Sequence, residues 1–245
     1  MNLEKYLSIT PEIKEAIEAG KEIDKVLIKK GSEGDNILKL KELCKYRKIT
    51  VQEVPVEKLN RMVKMPHQGV IAQTAMISYQ ELSDVMDSVY EQNRTPLIVV
   101  CDGITDVRNF GAIARSAECA GADAIVIATK NGAQINADAM KTSAGALNVL
   151  PVCRVGSLRN TLKWLQSEGV ELVAASEKSS RLIYETDLNK PIAVILGSED
   201  KGVSNEIMKM CDHRVAIPMN GTIESLNVSA AAAVIMFEVV RQRLK

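Results

Sequence analysis

Three segments of this chain set polar and charged residues beside glycines, at spacings that suit the binding of an anion or a cofactor. The first is Asp102-Gly-Ile-Thr-Asp-Val-Arg-Asn-Phe-Gly-Ala-Ile-Ala-Arg, which follows an apolar run and opens a helical pattern. A strand-to-helix turn of this kind leaves free backbone N–H groups at the carboxyl end of a sheet. Asn109 is placed to cap the helix, and Gly111 lets another group approach its first turn. Arg115, four residues further on, shares the face of Gly111. The spacing alone is met equally well by a capped helix carrying a solvated arginine.

The second segment is Ile195-Leu-Gly-Ser-Glu-Asp-Lys-Gly-Val-Ser. Gly197, Gly202 and Ser204 coincide with the phosphate-binding pattern G-x-x-x-x-G-K-[ST], but Val203 stands where the lysine is required. Without that cation, and with Glu199 and Asp200 repelling phosphate, a nucleotide triphosphatase is disfavoured. The third segment, Ile217-Pro-Met-Asn-Gly-Thr-Ile-Glu-Ser-Leu-Asn-Val-Ser-Ala-Ala-Ala-Ala, combines an irregular loop forced by Pro218 and Gly221 with an alanine-rich helix starting at Ser225 or Asn227. The alanine run 230–233 indicates a helix packed closely on another backbone. The cluster Glu224, Ser225 and Asn227 beside an apolar loop goes beyond what tight packing needs.

The elements that must position these residues are regular from residue 95 onward. Apolar strands are predicted at 97–101, 124–128, 149–152, 172–175, 192–196 and 214–217, and helices at 109–119, 137–145, 157–167, 204–211 and 225–243. Continuous apolar strands alternating with helices imply a mostly parallel sheet covered on both faces. Upstream, 11–19 reads as a helix capped by Thr10, 25–30 as a strand, 36–46 as a helix, 51–54 as a strand, 56–62 as a helix and 69–75 as a strand. That is a compact α/β module of domain size. A helix over 79–92 followed by Asn93-Arg-Thr-Pro is expected to connect the two, which divides the chain into 1–78, 79–94 and 95–245.

Composition narrows the class without naming a partner. Thirty-one basic and 31 acidic side chains cancel, which argues against a strongly basic nucleic-acid wrapper but leaves room for a basic face. At 3% aromatic residues, contact with single strands cannot rest on a row of stacking rings. Five cysteines, none in a C-x-x-C pair, suit a reducing cytoplasm better than a disulfide framework or zinc site. The amino terminus lacks the basic-then-apolar pattern of a signal peptide, and the most apolar helical stretch, 228–240, is too short to span a bilayer and contains Glu238. A cytoplasmic protein is expected.

Taken in order, Asn109-x-Gly111-Ala112-x-x-Arg115, Gly197-x-Glu199-x-x-Gly202 and Pro218-Met219-x-Gly221…Ser225-Leu226-Asn227-Val228-Ser229 resemble the three signature stretches of the SpoU (TrmH) family of RNA 2′-O-methyltransferases, over residues 101–245. The resemblance implies an α/β fold of SPOUT type, with a mostly parallel sheet and a C-terminal trefoil knot whose loops fall at 196–204 and 217–227. It implies S-adenosyl-L-methionine as cofactor, RNA as partner, no metal, and a homodimer formed through the knotted domain. The first module, with His67-Gln-Gly-Val, is similar to the ribosomal-protein-like RNA-binding domain of members that methylate a guanosine ribose in 23S rRNA, although 10–17 retains only Glu-Ala-Ile of that domain's usual opening. His67 itself reads as a satisfied or strand-end-capping histidine in preference to a catalytic one.

The resemblance carries residue roles with it. Arg115 matches the family's catalytic arginine. A guanidinium stays protonated in proteins, so it is read here as a cation stabilising alkoxide charge and not as a base. Asn109, Glu199, Ser225 and Asn227 match its other polar site positions, while Gly197, Ile217, Met219 and Leu226 match cofactor contacts. The competing readings are a tRNA ribose 2′-O-methyltransferase, a non-catalytic RNA-binding or ribosome-assembly protein on the same fold, and a small-molecule methyltransferase or nucleotide-binding enzyme.

Overall fold

The structure, a computed structural model, describes Tyr6, Leu7 and residues 10–47, 49–64 and 66–244. By its contacts the chain divides into two compact units, Met1–Ser78 and Tyr79–Lys245.

The first unit runs β1 (Tyr6–Leu7), α1 (Thr10–Glu18), β2 (Ile23–Lys29), α2 (Asp35–Tyr46), β3 (Thr50–Val54), α3 (Val56–Met62) and β4 (Val70–Thr74). Its sheet has the order β1-β4-β2-β3, with β2 and β3 parallel and β4 antiparallel to both β2 and β1. The two-residue period of β2 sends Val26 and Ile28 to one face and Leu27 to the other. Helices α1 and α2 cover the first face with Ile13, Ile17, Leu40 and Cys44. Helix α3 covers the second with Leu59, which packs with Leu27, Val54 and Ile71. Thr10, expected to cap α1, is instead its first residue, so that Pro11 lies inside the first turn, where a missing N–H has no helical partner to lose.

In the second unit the elements are α4 (Leu82–Glu91), β5 (Leu97–Asp102), α5 (Val107–Cys119), β6 (Ala124–Ala128), α6 (Ala137–Thr142), β7 (Val152–Val155), α7 (Leu158–Ser167), β8 (Glu171–Ala175), β9 (Ile192–Gly197), α8 (Asn205–Met208), β10 (His213–Val215) and α9 (Val228–Arg243). Six parallel strands lie in the order β10-β8-β9-β5-β6-β7. On one face α4 and α7 bury Leu82, Met86, Val89, Leu162 and Leu165 against Ile98, Val100, Val126 and Ile195. Helix α4, expected in a connecting segment, therefore contributes to this unit's core. On the other face α9 packs on β9 and on α5, which also contacts α6.

Strand β7 begins at Val152, three residues after its expected start. Pro151 has no N–H to donate to a ladder, and Val149 ahead of it remains 67% exposed beside a short 3-10 turn. Helix α5 is capped by Asp106 and not by Asn109: the Asp106 carboxylate accepts from the N–H groups of Arg108 (2.9 Å) and Asn109 (2.8 Å). The cap thereby releases the Asn109 side chain for another task. Helix α8 is shorter than its expected span, 204–211, and β10 ends at Val215, two residues before its expected end.

The two edges of the parallel sheet are treated differently. At the amino edge Arg243 donates to the carbonyls of Thr95 (2.8 Å), Pro96 (2.9 Å) and Lys190 (2.8 Å). The buried Asp123 accepts from the Leu97 N–H at 2.9 Å and pairs with Arg94 at 2.6 Å. Helix α9 extends roughly 24 Å from the carboxyl edge to this pinned amino edge. At the start of the other helical pair, Gly111 allows the backbone of α6 to come close: a Cβ there would meet the Ala139 carbonyl oxygen at 2.7 Å and Thr142 Cβ at 2.9 Å. Gly111→Ala is therefore expected to destabilise the fold by about 1–3 kcal/mol through overpacking. Urea unfolding checks this, and an unchanged midpoint would show that α5 and α6 separate freely.

Candidate active site

The carboxyl edge of the sheet is where the free backbone groups of these strand ends collect. Asp102, the last residue of β5, is the register partner of Gly197, the last of β9. The Asp102 carboxylate accepts from the Ser204 N–H at 2.7 Å and so folds the loop after β9 back over its own strand. Within that loop the Gly202 N–H donates to the Ser198 carbonyl at 2.8 Å. The backbone of Gly202 and Val203 then occupies the space where a Cβ on Gly197 would have to stand. Val203, in the position of the missing lysine, is buried in the core, so the cation that the phosphate-binding pattern needs at that position is absent.

Three chain segments meet at one side chain in front of this loop. Asn227 caps α9, its Oδ1 accepting from the Ser229 N–H (2.9 Å) and hydroxyl (2.6 Å). Its Nδ2 donates to Asn109 Oδ1 on α5 at 3.1 Å and to Glu199 Oε1 in the β9–α8 loop at 2.5 Å. The loop from Ile217 to Asn227 is thereby tied to the helix and the turn that the other two motifs supply.

Behind this junction lies a cavity of about 340 Å³. Gly197, Glu199, Ile217, Met219, Ser225, Leu226 and Asn227 all line it. Asn109 reaches it only through Asn227. Arg115 does not line it: the side chain is exposed on α5 and has no hydrogen bond or ion pair among the described residues. The cavity is completed by Ala175 at the end of β8 and by Ser176, Glu177 and Lys178 after it, which no motif marked. They belong to the site because β8 lies next to β9 in the sheet, a neighbour relation that spacing along the chain does not contain.

The lining suits a small amphipathic cation. Leu196, Val215, Ile217 and Ile235 provide apolar walls of the kind that receive an adenine ring, while Glu177, Glu199 and Glu224 surround it with negative charge. Lys178 and Lys201 are the cations available to a carboxylate. Burial pushes the thiols of Cys101, Cys153 and Cys211 up to about 12 and that of Cys44 to about 11, so none of these four is a thiolate nucleophile at neutral pH. Among the described residues no group of three His, Cys, Asp or Glu side chains is arranged to hold a metal ion.

A parallel α/β sheet with a cofactor-sized cavity at its carboxyl edge defines a class, and comparison with known proteins narrows it. Residues 96–237 match the SpoU rRNA methylase family, and residues 11–80 match the RNA 2′-O ribose methyltransferase substrate-binding domain. The chain is 38% identical to a putative TrmH family tRNA/rRNA methyltransferase, YacO, of Bacillus subtilis, covering 82% of this chain and 81% of that one. It is 36% identical to the 23S rRNA (guanosine-2′-O-)-methyltransferase RlmB of Photobacterium profundum, covering 89% of each. The solved structure of the SpoU methyltransferase AviRb from Streptomyces viridochromogenes, in complex with AdoMet, superposes with a TM-score of 0.62 at 26% identity, over 98% of this chain and 90% of that one. The chain belongs to the SpoU family of S-adenosylmethionine-dependent RNA 2′-O-methyltransferases.

The junction at Asn227 can be tested without substrate. Asn227→Asp retains the capping oxygen but turns a carboxylate oxygen toward Glu199 and Asn109 in place of the amide donor. The paired carboxyls then have one pKa raised in the folded state, so the penalty is present at pH 8 and is relieved as pH falls toward 5. The expected loss at pH 8 is about 1 kcal/mol, kept small by exposure to solvent. Urea midpoints relative to wild type at the two pH values measure it; a pH-independent difference would remove Nδ2 from the account of the junction.

Proposed function

We propose that this chain methylates the ribose 2′-OH of a guanosine in 23S rRNA, with Arg115, Asn109, Glu199, Ser225 and Asn227 as its reacting-site residues and Gly197, Ile217, Met219 and Leu226 as its cofactor contacts. The observation that carries this reading is the single amide of Asn227, which joins Asn109, Glu199 and the cavity-lining loop. The guanosine target is supported by the two-part match to relatives such as the RlmB protein, whose similarity extends over both units. Names that couple tRNA with rRNA among the relatives keep tRNA as the second target.

Bound S-adenosylmethionine supplies an activated methyl group carried on a sulfonium. The closed turn at Gly197 and the side chains of Ile217, Met219 and Leu226 would hold the cofactor in the cavity they line. Asn109, Glu199 and Asn227 form one hydrogen-bonded unit, so the α9 cap and the β9–α8 loop keep a fixed separation when RNA arrives. Ser225 presents a hydroxyl to the same mouth. Arg115, with its guanidinium unpaired in solvent, stabilises negative charge developing on the 2′-oxygen and contacts the adjacent phosphate.

We further read the loops 196–204 and 217–227 as those of the family's trefoil knot, the working form as a homodimer and its compartment as the cytoplasm. Helix α9 supports the dimer. It carries apolar residues around its whole circumference, and Phe237 on it is 48% exposed and Leu244 at its C-cap 80% exposed. Light scattering should give about 54 kDa, twice the 26.8 kDa of one chain, and a monomer mass at micromolar concentration would refute the dimer.

Arg115→Ala should lower methyl transfer by about a hundredfold or more while leaving cofactor binding by calorimetry near wild type. Gly197→Ala should instead abolish both the calorimetric signal and methyl transfer, because the turn cannot close over an added Cβ. Retained activity in Arg115→Ala would sink the assigned role. The target itself is decided by mass-spectrometric mapping of ribose methylation in rRNA and tRNA from cells lacking the protein: loss of one guanosine mark in 23S rRNA is expected, and loss confined to tRNA would overturn the rRNA target.

A further inference from the structure

The first unit contains a feature that the methyl-transfer site does not use: a cleft of about 760 Å³ with Lys29, Ser32, Asn60, Lys64, His67 and Gln68 in its lining. In a chain whose charges cancel overall, this cleft has two lysines in its lining and no carboxylate. Neither Lys29 nor Lys64 makes an ion pair among the described residues, so both ammonium groups are available to an incoming anion.

The polar groups at its centre are fixed by a chain of hydrogen bonds. Residues His67 to Val70 form a tight turn closed by the Val70 N–H donating to the His67 carbonyl at 2.7 Å, with Gln68 at φ 45° and Gly69 at φ 82°. A left-handed glutamine is uncommon, and here it holds the Gln68 side chain out in solvent with no partner among the described residues. The Gly69 N–H donates to His67 Nδ1 at 3.0 Å, which makes that nitrogen the acceptor. In the neutral ring Nε2 then carries the proton, and its 2.7 Å partner, Asn60 Oδ1, must be an acceptor. His67 is thus fully engaged, and through it the Asn60 amide is oriented with its Nδ2 hydrogens directed away from the ring. His67 acts as a positioning residue and not as an acid or base.

We propose that this cleft takes one unpaired nucleotide of the substrate RNA, with Gln68 and Asn60 meeting the edge of the base and Lys29 and Lys64 the flanking phosphates. This rests on the reading that RNA is the substrate, and it adds where the first unit reads it. Two amides, Gln68 on the turn and Asn60 on α3, offer donors and an acceptor that match the hydrogen-bonding edge of a base, and sequence-specific RNA recognition falls mainly on unpaired nucleotides. The volume is that of a small-ligand site. No Phe, Tyr or Trp ring lines the cleft, so the base lies against Val56, Val63, Pro66 and the face of the His67 ring and is selected by its edge.

The test uses the full chain and fluorescence anisotropy, with a labelled single-stranded RNA of mixed sequence and a fully paired RNA duplex, each titrated over a salt series. Gln68→Gly keeps the left-handed turn and removes the amide, and Asn60→Ser removes the outward amide donors without adding a charge. Together they should lower single-strand affinity about tenfold and leave duplex binding and salt slope unchanged. Lys29→Gln with Lys64→Gln should lower the slope of log affinity against log salt by about 1.4. Lys39→Gln with Lys45→Gln, on exposed positions of α2, is the control and should change neither. Circular dichroism melts establish that each variant is folded. The proposal is overturned if the cleft variants bind the single strand as wild type does, or if the α2 pair loses as much as the cleft pair. Should wild type bind neither RNA, the RNA reading itself falls, a result distinct from failure of the cleft alone.

Discussion

The site in the second unit depends on one primary amide. Asn227 must present an oxygen to the start of α9, where unsatisfied N–H groups need an acceptor, and a nitrogen donor to Glu199 and Asn109. A carboxylate of the same shape supplies the first and not the second, and a serine is too short to span both. The amide therefore ties together three stretches spread over 118 residues of chain into one mouth. Its neighbours are arranged to leave it free for this. Asp106 takes over the α5 cap, so Asn109 is available as acceptor, and Asp102 closes the β9–α8 loop, so Glu199 arrives at a fixed place.

The same economy governs the whole sheet. Parallel strands expose unpaired backbone groups at both ends, and this protein disposes of them in opposite ways. Arg243, Asp123 and Arg94 close the amino edge around β5 and β9 with charged hydrogen bonds to carbonyls and to an N–H group. The carboxyl edge is left with a cavity, and α9 links the two, capped at one end by the site and anchored at the other by Arg243. Rigidity at one edge thus becomes positional accuracy at the other.

Charge is handled locally in both units. The chain is neutral in sum, yet the cavity of the second unit gathers carboxylates while the cleft of the first is lined only by cations among its ionised groups. A sulfonium-bearing cofactor and a polyanion make opposite demands, and segregating the charges answers both without a large net charge that would strain the compact state.

Much of this was legible in the chain itself. Helix and strand positions follow from hydrophobic period, so most elements lie within two or three residues of expectation. The three motifs do mark residues that line the cavity or hydrogen-bond to its rim, with Arg115 standing apart in solvent. What escaped depends on neighbours that are distant in sequence. Asp106 displaced Asn109 as the cap because both lie within reach of the same first turn, and only the backbone path decides between them. Ala175 to Lys178 entered the cavity because β8 pairs with β9, and the cleft around His67 required β2, α3 and the turn before β4 to converge. Periodicity and residue type report local propensity and which face is buried; strand order, and hence which side chains meet, is set by packing among whole elements, and that only the tertiary structure decided.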